Sequence, residues 1–397
     1  MNALKQYIDY YKERENIFRS GVAYPLNKLR DEAERRIKSV ELPKKGADNY
    51  ENCDLEEILS PFVGLICNDY PQLCYDCKIG DWKGREAEIE KYYGKAADME
   101  NPLVVLNSLL AMDICFIKVP RGVKLDKTID IGTIYTQFSS QVPMMTIRRI
   151  LIVLEDGAEA KVVLNDKIEG PDSRITNLEV VEIFAAPGSV LDYYSIENSI
   201  GTNRLSALYL KQEERSKVKI NGITLSNGVT RNEYYCNLEG EGAELYLSGM
   251  GIEDGESIIS TYSRINHLVP RCVSNELFKF TIDDKAAGAF TGRIYVADGA
   301  VKTEAYQSNR NIVGSKEAKM SSRPELEIYN DDVKCSHGCA VGQLDEKQLF
   351  YMRTRGLDES TARLLLKQAF VSEVIDKVDI EDLRENLHDL AESRLNR

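Results

Sequence analysis

The 397-residue chain is long enough for about two or three domains. With 43% hydrophobic and 29% charged residues it has ordinary globular usage, which argues against a disordered or fibrous protein. The formal net charge of −13 argues against a partner that needs a basic footprint, whether nucleic acid or an anionic membrane surface.

The opening residues, Met1 to Tyr7, have no basic tip followed by an apolar run, so no secretory leader is expected. The most apolar stretch, 102–119, is broken by Asn107, Asp113 and Lys118 and is too polar to span a bilayer. A cytoplasmic protein is expected. There the nine cysteines would be reduced, and thiol or metal chemistry suits them better than a disulfide framework.

Residues 1–95 read as helical. The first 19 residues carry no Gly or Pro, and Leu26, Leu29, Ala33 and Ile37 recur at helical spacing after Pro25. Residues 55–59 suggest a further short helix, and 71–94 give no clear pattern. From about 96 to 330 the texture changes to strands. Apolar runs at 150–154, 160–164, 178–184, 190–196 and 205–210 are separated by Gly, Asn and Asp. Many short strands without intervening helices mean an all-β body. Pattern alone leaves a sandwich, a jelly roll and a solenoid open, and no exact internal repeat is present. Helices return after Asp345. Asp345 is a cap with Gln348 placed as its capping-box partner, and Gly356 is a C′ residue. Asp358 opens the next helix and Asp379 the last.

Histidine is scarce: His267, His337 and His388. His388 reads as a solvated side chain and His267 as a structural hydrogen-bonding group. His337 lies between Cys335 and Cys339, two residues from each. In a strand, such positions project from one face. Two thiols and an imidazole suit an iron–sulfur cluster, Zn or Cu(I). The same spacing also fits a buried cysteine pair beside a satisfied histidine. Gly338 allows a bend or a close backbone approach.

Cys74-Tyr75-Asp76-Cys77 lacks a βαβ context and a second ligand pair, so it reads as structural. Asp283-Asp284 and Asp331-Asp332 are strand neighbours that point to opposite faces; they form no glycosidase dyad and read as turns. No phosphate loop or nucleophile elbow is present, so this chain is not expected to hydrolyse ATP.

The segment from Leu326 through Lys334-Cys335-Ser336-His337-Gly338 to Gly356 closely resembles the C-terminal signature of the SufB/SufD family of iron–sulfur cluster assembly. Residues 302–311, Ser274 to Lys279, Phe290-Thr291-Gly292, and Leu106-Asn107-Ser108 with Asp113 resemble it too. The Lys-Cys-Ser-His-Gly form is more similar to SufD than to SufB. The resemblance implies a mainly β protein: a right-handed parallel β-helix core at 96–340, flanked by helical domains at 1–95 and 341–397. It implies a non-enzymatic subunit in a complex of one SufB, one SufD and two copies of the ATPase SufC. The C-terminal helices would dock SufC through Leu349, Phe350, Tyr351, Arg353, Arg355, Leu365 and Phe370. His337, and secondarily Cys335, would help build a nascent cluster at the SufB interface, transient and shared with that partner. A homodimer is one state open to the chain alone. Two departures stand out: the family commonly has Ala at Cys339, and Ser260-Thr261-Tyr262-Ser263 lacks a His that relatives tend to carry. The alternatives are a SufB-like scaffold holding the cluster itself and, remotely, a β-helix carbohydrate-active enzyme.

Overall fold

The computed structural model describes residues 3–61, 63–68, 83–136, 143–169 and 175–396. Cys74 and Cys77 lie outside them. The chain opens with helices α1 (Leu4–Glu13), α2 (Glu15–Arg19), α3 (Tyr24–Arg36), α4 (Leu55–Leu59), α5 (Glu86–Tyr92) and α6 (Pro102–Leu110). Strand β1 (Leu65–Asn68) falls between α4 and α5. Asn101 caps α6 by accepting from the Leu103 N–H at 2.8 Å, and Pro102 at the first helical position gives up a donor that has no partner anyway.

The strands follow in one run: β2 (Cys115–Val119), β3 (Ile129–Asp130), β4 (Ile134–Thr136), β5 (Met144–Leu154), β6 (Glu159–Glu169), β7 (Ile175–Ala185), β8 (Val190–Asn198) and β9 (Asn203–Gln212). Next come β10 (Lys217–Ser226), β11 (Val229–Leu238), β12 (Glu244–Glu253), β13 (Ile258–His267), β14 (Val273–Ile282), β15 (Ala287–Val296), β16 (Glu304–Val313), β17 (Lys319–Ile328) and β18 (Lys334–Gly342). From β5 onward each strand pairs with the strand two places further on, always parallel. This builds two nine-stranded sheets, and each coil contributes one strand to each. The body is therefore a parallel β-helix. Val229 pairs with Ile258 and Ile258 with Ala287, so a coil spans 29 residues there.

A ladder of corners sets the coil. Gly157, Gly188, Arg215, Gly242, Arg271 and Lys302 all have positive φ. Each N–H donates to a carbonyl at the matching corner of the next coil, for example Gly188 to Glu214 at 2.8 Å and Arg215 to Glu241 at 3.0 Å. The turn demands a left-handed residue, and half of these corners supply it without glycine.

Between the sheets, inward side chains stack coil on coil, among them Ile152, Ile183, Leu210, Cys236, Ile265 and Ile294. Each fully buried aliphatic of this kind contributes roughly 1.5–3 kcal/mol. The outer face of the first sheet is also apolar at its N-terminal end, where Leu178, Val180, Leu205 and Ala207 pack on α6 and α1. Burial on both faces explains why these strands read as continuous apolar runs rather than alternating ones.

Helices α7 (Glu346–Thr354), α8 (Glu359–Ile375) and α9 (Glu381–Leu395) end the chain. Helices α8 and α9 run back over the second sheet: Val371, Val374, Ile375, Leu387 and Ala391 cover Tyr194, Ile196, Ile223 and Met250. Asp345 and Asp358 cap α7 and α8, accepting from Lys347 and Thr361 N–H at 2.8 and 2.9 Å. Asp379 does not cap α9, which starts two residues later than expected with Ile380 at the N-cap. Its groups are used elsewhere: its carboxylate pairs with Lys219, and its N–H donates to the Tyr194 hydroxyl at 3.0 Å. Among the described residues, no helix is long and apolar enough to cross a membrane.

Candidate site on the terminal strand

Strand β18 is the last of the second sheet and pairs with β16. Nearly all its residues are exposed. Cys335, His337 and Cys339 share one side of it, in register with Ala305, Gln307 and Asn309 of β16, which are all buried. That side faces the solenoid interior, as the packing of Cys335 on the core shows. With no described strand beyond β18, inward-facing side chains here meet solvent.

The interior changes character at this end. Along one register the inward residues run Ile220, Leu247, Glu276, Gln307, His337. The neighbouring register runs Gly222, Gly249, Phe278, Asn309, Cys339. Apolar filling thus gives way to a carboxyl and amides and then to thiol and imidazole groups. Gln307 Nε2 donates to Glu276 Oε2 at 2.6 Å, and Asn311 Nδ2 donates to Asn309 Oδ1 at 2.6 Å. Ser322 of β17 donates to Asn309 Oδ1 at 2.6 Å, and Cys339 Sγ donates to Ser322 Oγ at 3.2 Å. Burial pushes the Glu276 carboxyl up to about 7 and raises the Cys335 thiol. Cys335 is therefore a thiol when free, and binding metal there must release a proton.

Cys335, His337 and Cys339 are soft to borderline donors that fit iron or a cluster. Among the described residues, no three His, Cys, Asp or Glu side chains are grouped to hold a metal ion. The strand thus presents two thiols and an imidazole in a row on one side. Gln307, Asn309 and Asn311 are site neighbours that the sequence pattern did not single out. Their signal was the same two-residue alternation that marks Cys335, His337 and Cys339.

The other histidines are structural. His267 is buried, its Nε2 lies 2.8 Å from Ser274 Oγ, and burial lowers its ring to about 4. His388 Nε2 lies 2.9 Å from Asp376 Oδ1 at the surface. Asp284 has φ 49 in a corner, and Asp283 pairs with Lys367 at 2.8 Å, so this acidic pair serves a turn.

The expected docking residues divide. Phe350 and Tyr351 of α7 are 69% and 58% exposed, and Leu365 of α8 is 40% exposed. Arg353 lies 3.6 Å from Glu359, and Arg355 sits over the Tyr351 ring. Leu349 is buried by the chain itself and offers no surface, a correction to its expected role. Phe370 is half-buried on the second sheet, with Lys279 Nζ over its ring.

Comparison with known proteins decides the family. The profile described as SUF system FeS cluster assembly, SufBD core domain, matches residues 135–370. The chain belongs to the SufBD family. The SufBD N-terminal profile matches 1–79 and 77–131, which takes in the helices before the solenoid. The SufBD family protein slr0076 of Synechocystis is 26% identical over 315 residues, 77% of this chain and 69% of the relative. SufD of Escherichia coli is 28% identical over 292 residues, 71% of this chain and 67% of the relative. SufD of Bacillus subtilis is 25% identical over 313 residues, 77% and 70% of the two chains. The SufBD core match contains β18 and most of α8.

Proposed function

We propose that this chain is a SufD-like, non-enzymatic subunit of a cytoplasmic SUF assembly complex, joined to a SufB-like paralogue and a SufC-like ABC ATPase. The observation that carries the reading is the row Cys335, His337 and Cys339 on an exposed terminal strand, which we read as half of a ligand set. A facing subunit would complete it, and the nascent cluster would be cargo shared across the interface. The contrast between the two end strands supports this. β17 carries Pro324 at its centre, which removes a donor from that edge. β18 carries no proline and keeps its edge groups.

Connectivity supports coupling to the ATPase. Gln343-Leu344 is the whole link between the end of β18 at Gly342 and Asp345, the cap of α7. The exposed apolar side chains of α7 and α8 would seat the ATPase. Its conformational change would then act on α7 and, through that short link, on the strand carrying His337.

His337→Ala is expected to lower cluster supply in cells by about tenfold or more, with the complex still assembled. Normal supply from a correctly assembled mutant complex would remove His337 from the chemistry. Phe350→Asp is expected to weaken ATPase co-purification by ~2 kcal/mol or more, as for a central apolar anchor. Undiminished co-purification would place the docking face elsewhere.

A further inference from the structure

We propose that Gln307, held by Glu276, is a positioning residue that fixes the ring tautomer of His337 and turns one imidazole nitrogen out of the open end of the solenoid. The inference deepens the assembly role and rests on His337 being the ligand there.

Glu276, Gln307 and His337 occupy one inward register on consecutive strands. Parallel neighbours lie about 4.8 Å apart, a gap a glutamine side chain spans. Glu276 and Gln307 are each 3% exposed. The amide Nε2 is committed to Glu276. The amide Oε1 is buried without a partner, and an orphaned acceptor costs about 1–3 kcal/mol. The next side chain along that register is His337. A ring N–H donated to Oε1 would satisfy that oxygen. It would also leave the other ring nitrogen with its lone pair free, directed at whatever the end strand meets.

The facing sheet makes room for this arrangement. A Cβ added at Gly292 of β15 would stand 2.2 Å from Gln307 Nε2. Gly292 therefore acts as a cradle for the amide rather than as a turn, and its backbone is ordinary strand.

The test is ¹⁵N NMR of the full chain labelled at its three histidines, with the His337 signals assigned by loss in His337→Ala. At about pH 8, above the carboxyl value set by burial, His337 is expected to show a roughly tenfold excess of one tautomer. Gln307→Leu should return the ratio to that of free imidazole, and Gly292→Ala should shift it part of the way. Glu276→Gln keeps an acceptor for the amide and should preserve the excess, whereas Glu276→Leu should reduce it. A wild-type ratio equal to free imidazole overturns the proposal. So does a folded Gln307→Leu chain with the excess unchanged. Should Gln307→Leu fail to fold, Gln307→Asn, one methylene short, is judged by the same two outcomes. The readout is independent of cluster formation. A locked tautomer with normal cluster supply in His337→Ala would sink the assembly reading alone. Free tautomers with lost supply would sink the positioning role alone.

Discussion

Arg148→Met is expected to lower the unfolding free energy by ~3–5 kcal/mol, a loss at the top of the range for a single substitution. Arg148 is fully buried inside the N-terminal coils. Its guanidinium donates to Asp166 Oδ1 and Oδ2 at 2.8 and 2.9 Å and to Glu179 Oε2 at 2.8 Å. Arg204 supplies a second cation, donating to Glu179 Oε1 at 2.8 Å. Burial pushes the Glu179 carboxyl up, but Arg204 and Arg148 outweigh it and hold it at about 2. Removing Arg148 leaves two buried carboxylates with one guanidinium. The desolvation penalty of the orphaned charge dominates, because it is incurred whether or not a partner remains. Urea denaturation measures the loss. A change under about 1 kcal/mol would mean that water reaches this cluster. Adding Asp166→Asn should recover part of the loss, since the deficit is one of charge rather than volume.

The second large effect is a dependence of stability on pH, concentrated in Glu253. Burial pushes its carboxyl up to about 8. Ser257 donates to Oε2 at 2.6 Å, while Oε1 is buried without a partner, as is the oxygen of Asn227 beside it. A proton on Glu253 resolves this shortage of donors. Burial likewise raises Glu197 and Glu276 to about 7. These folded values lie above the unfolded one, so the native state holds more protons than the unfolded chain between about 4.5 and 8. Their contribution is complete below about 4.5 and is lost as pH rises through 7 to 8. His267, lowered to about 4, acts in the opposite sense, losing its contribution as pH falls below about 6.5, but it is one group against three. The chain should therefore melt at higher urea near pH 6 than near pH 8.5. Glu253→Gln should flatten that slope and stabilise the alkaline form by up to roughly 4 kcal/mol. A wild-type midpoint that holds or rises on going alkaline would show these carboxyls to be ionised in the native state.

Much of the fold was legible because burial writes itself into strand composition. The runs at 178–184 and 205–210 are apolar on both faces, since one face meets the solenoid interior and the other meets helices. The choice of a solenoid over a sandwich was not legible from spacing. That choice depends on which strands pair, and from β5 onward each strand pairs with the one two places on. The corner ladder would have revealed the repeat, but Arg215, Arg271 and Lys302 stand where glycine would have marked three of its turns. Cys335, His337 and Cys339 stood out because thiol and imidazole are conspicuous residue types. Gln307 and Asn309 did not, because alternating polar residues in a strand ordinarily mark its solvent face. Only the register places them inside. The docking role expected of Leu349 came with the family resemblance, which does not tell that this chain itself covers that side chain. The link to the SUF system rested on the long C-terminal signature, a resemblance rather than a deduction from chemistry.

The solenoid is built by stacking, so each coil draws its stability from the coils above and below it. Its terminal strand has a coil on one side only and is mostly exposed. Local opening should therefore require least free energy at β18 and most at the centre, and amide exchange should grade along the axis accordingly. The strand carrying Cys335, His337 and Cys339 is the segment the protein can reshape without disturbing its interior. A subunit that stacks on β18 would supply the missing neighbour. Binding and local ordering there would then be thermodynamically linked, each strengthening the other by the same free energy.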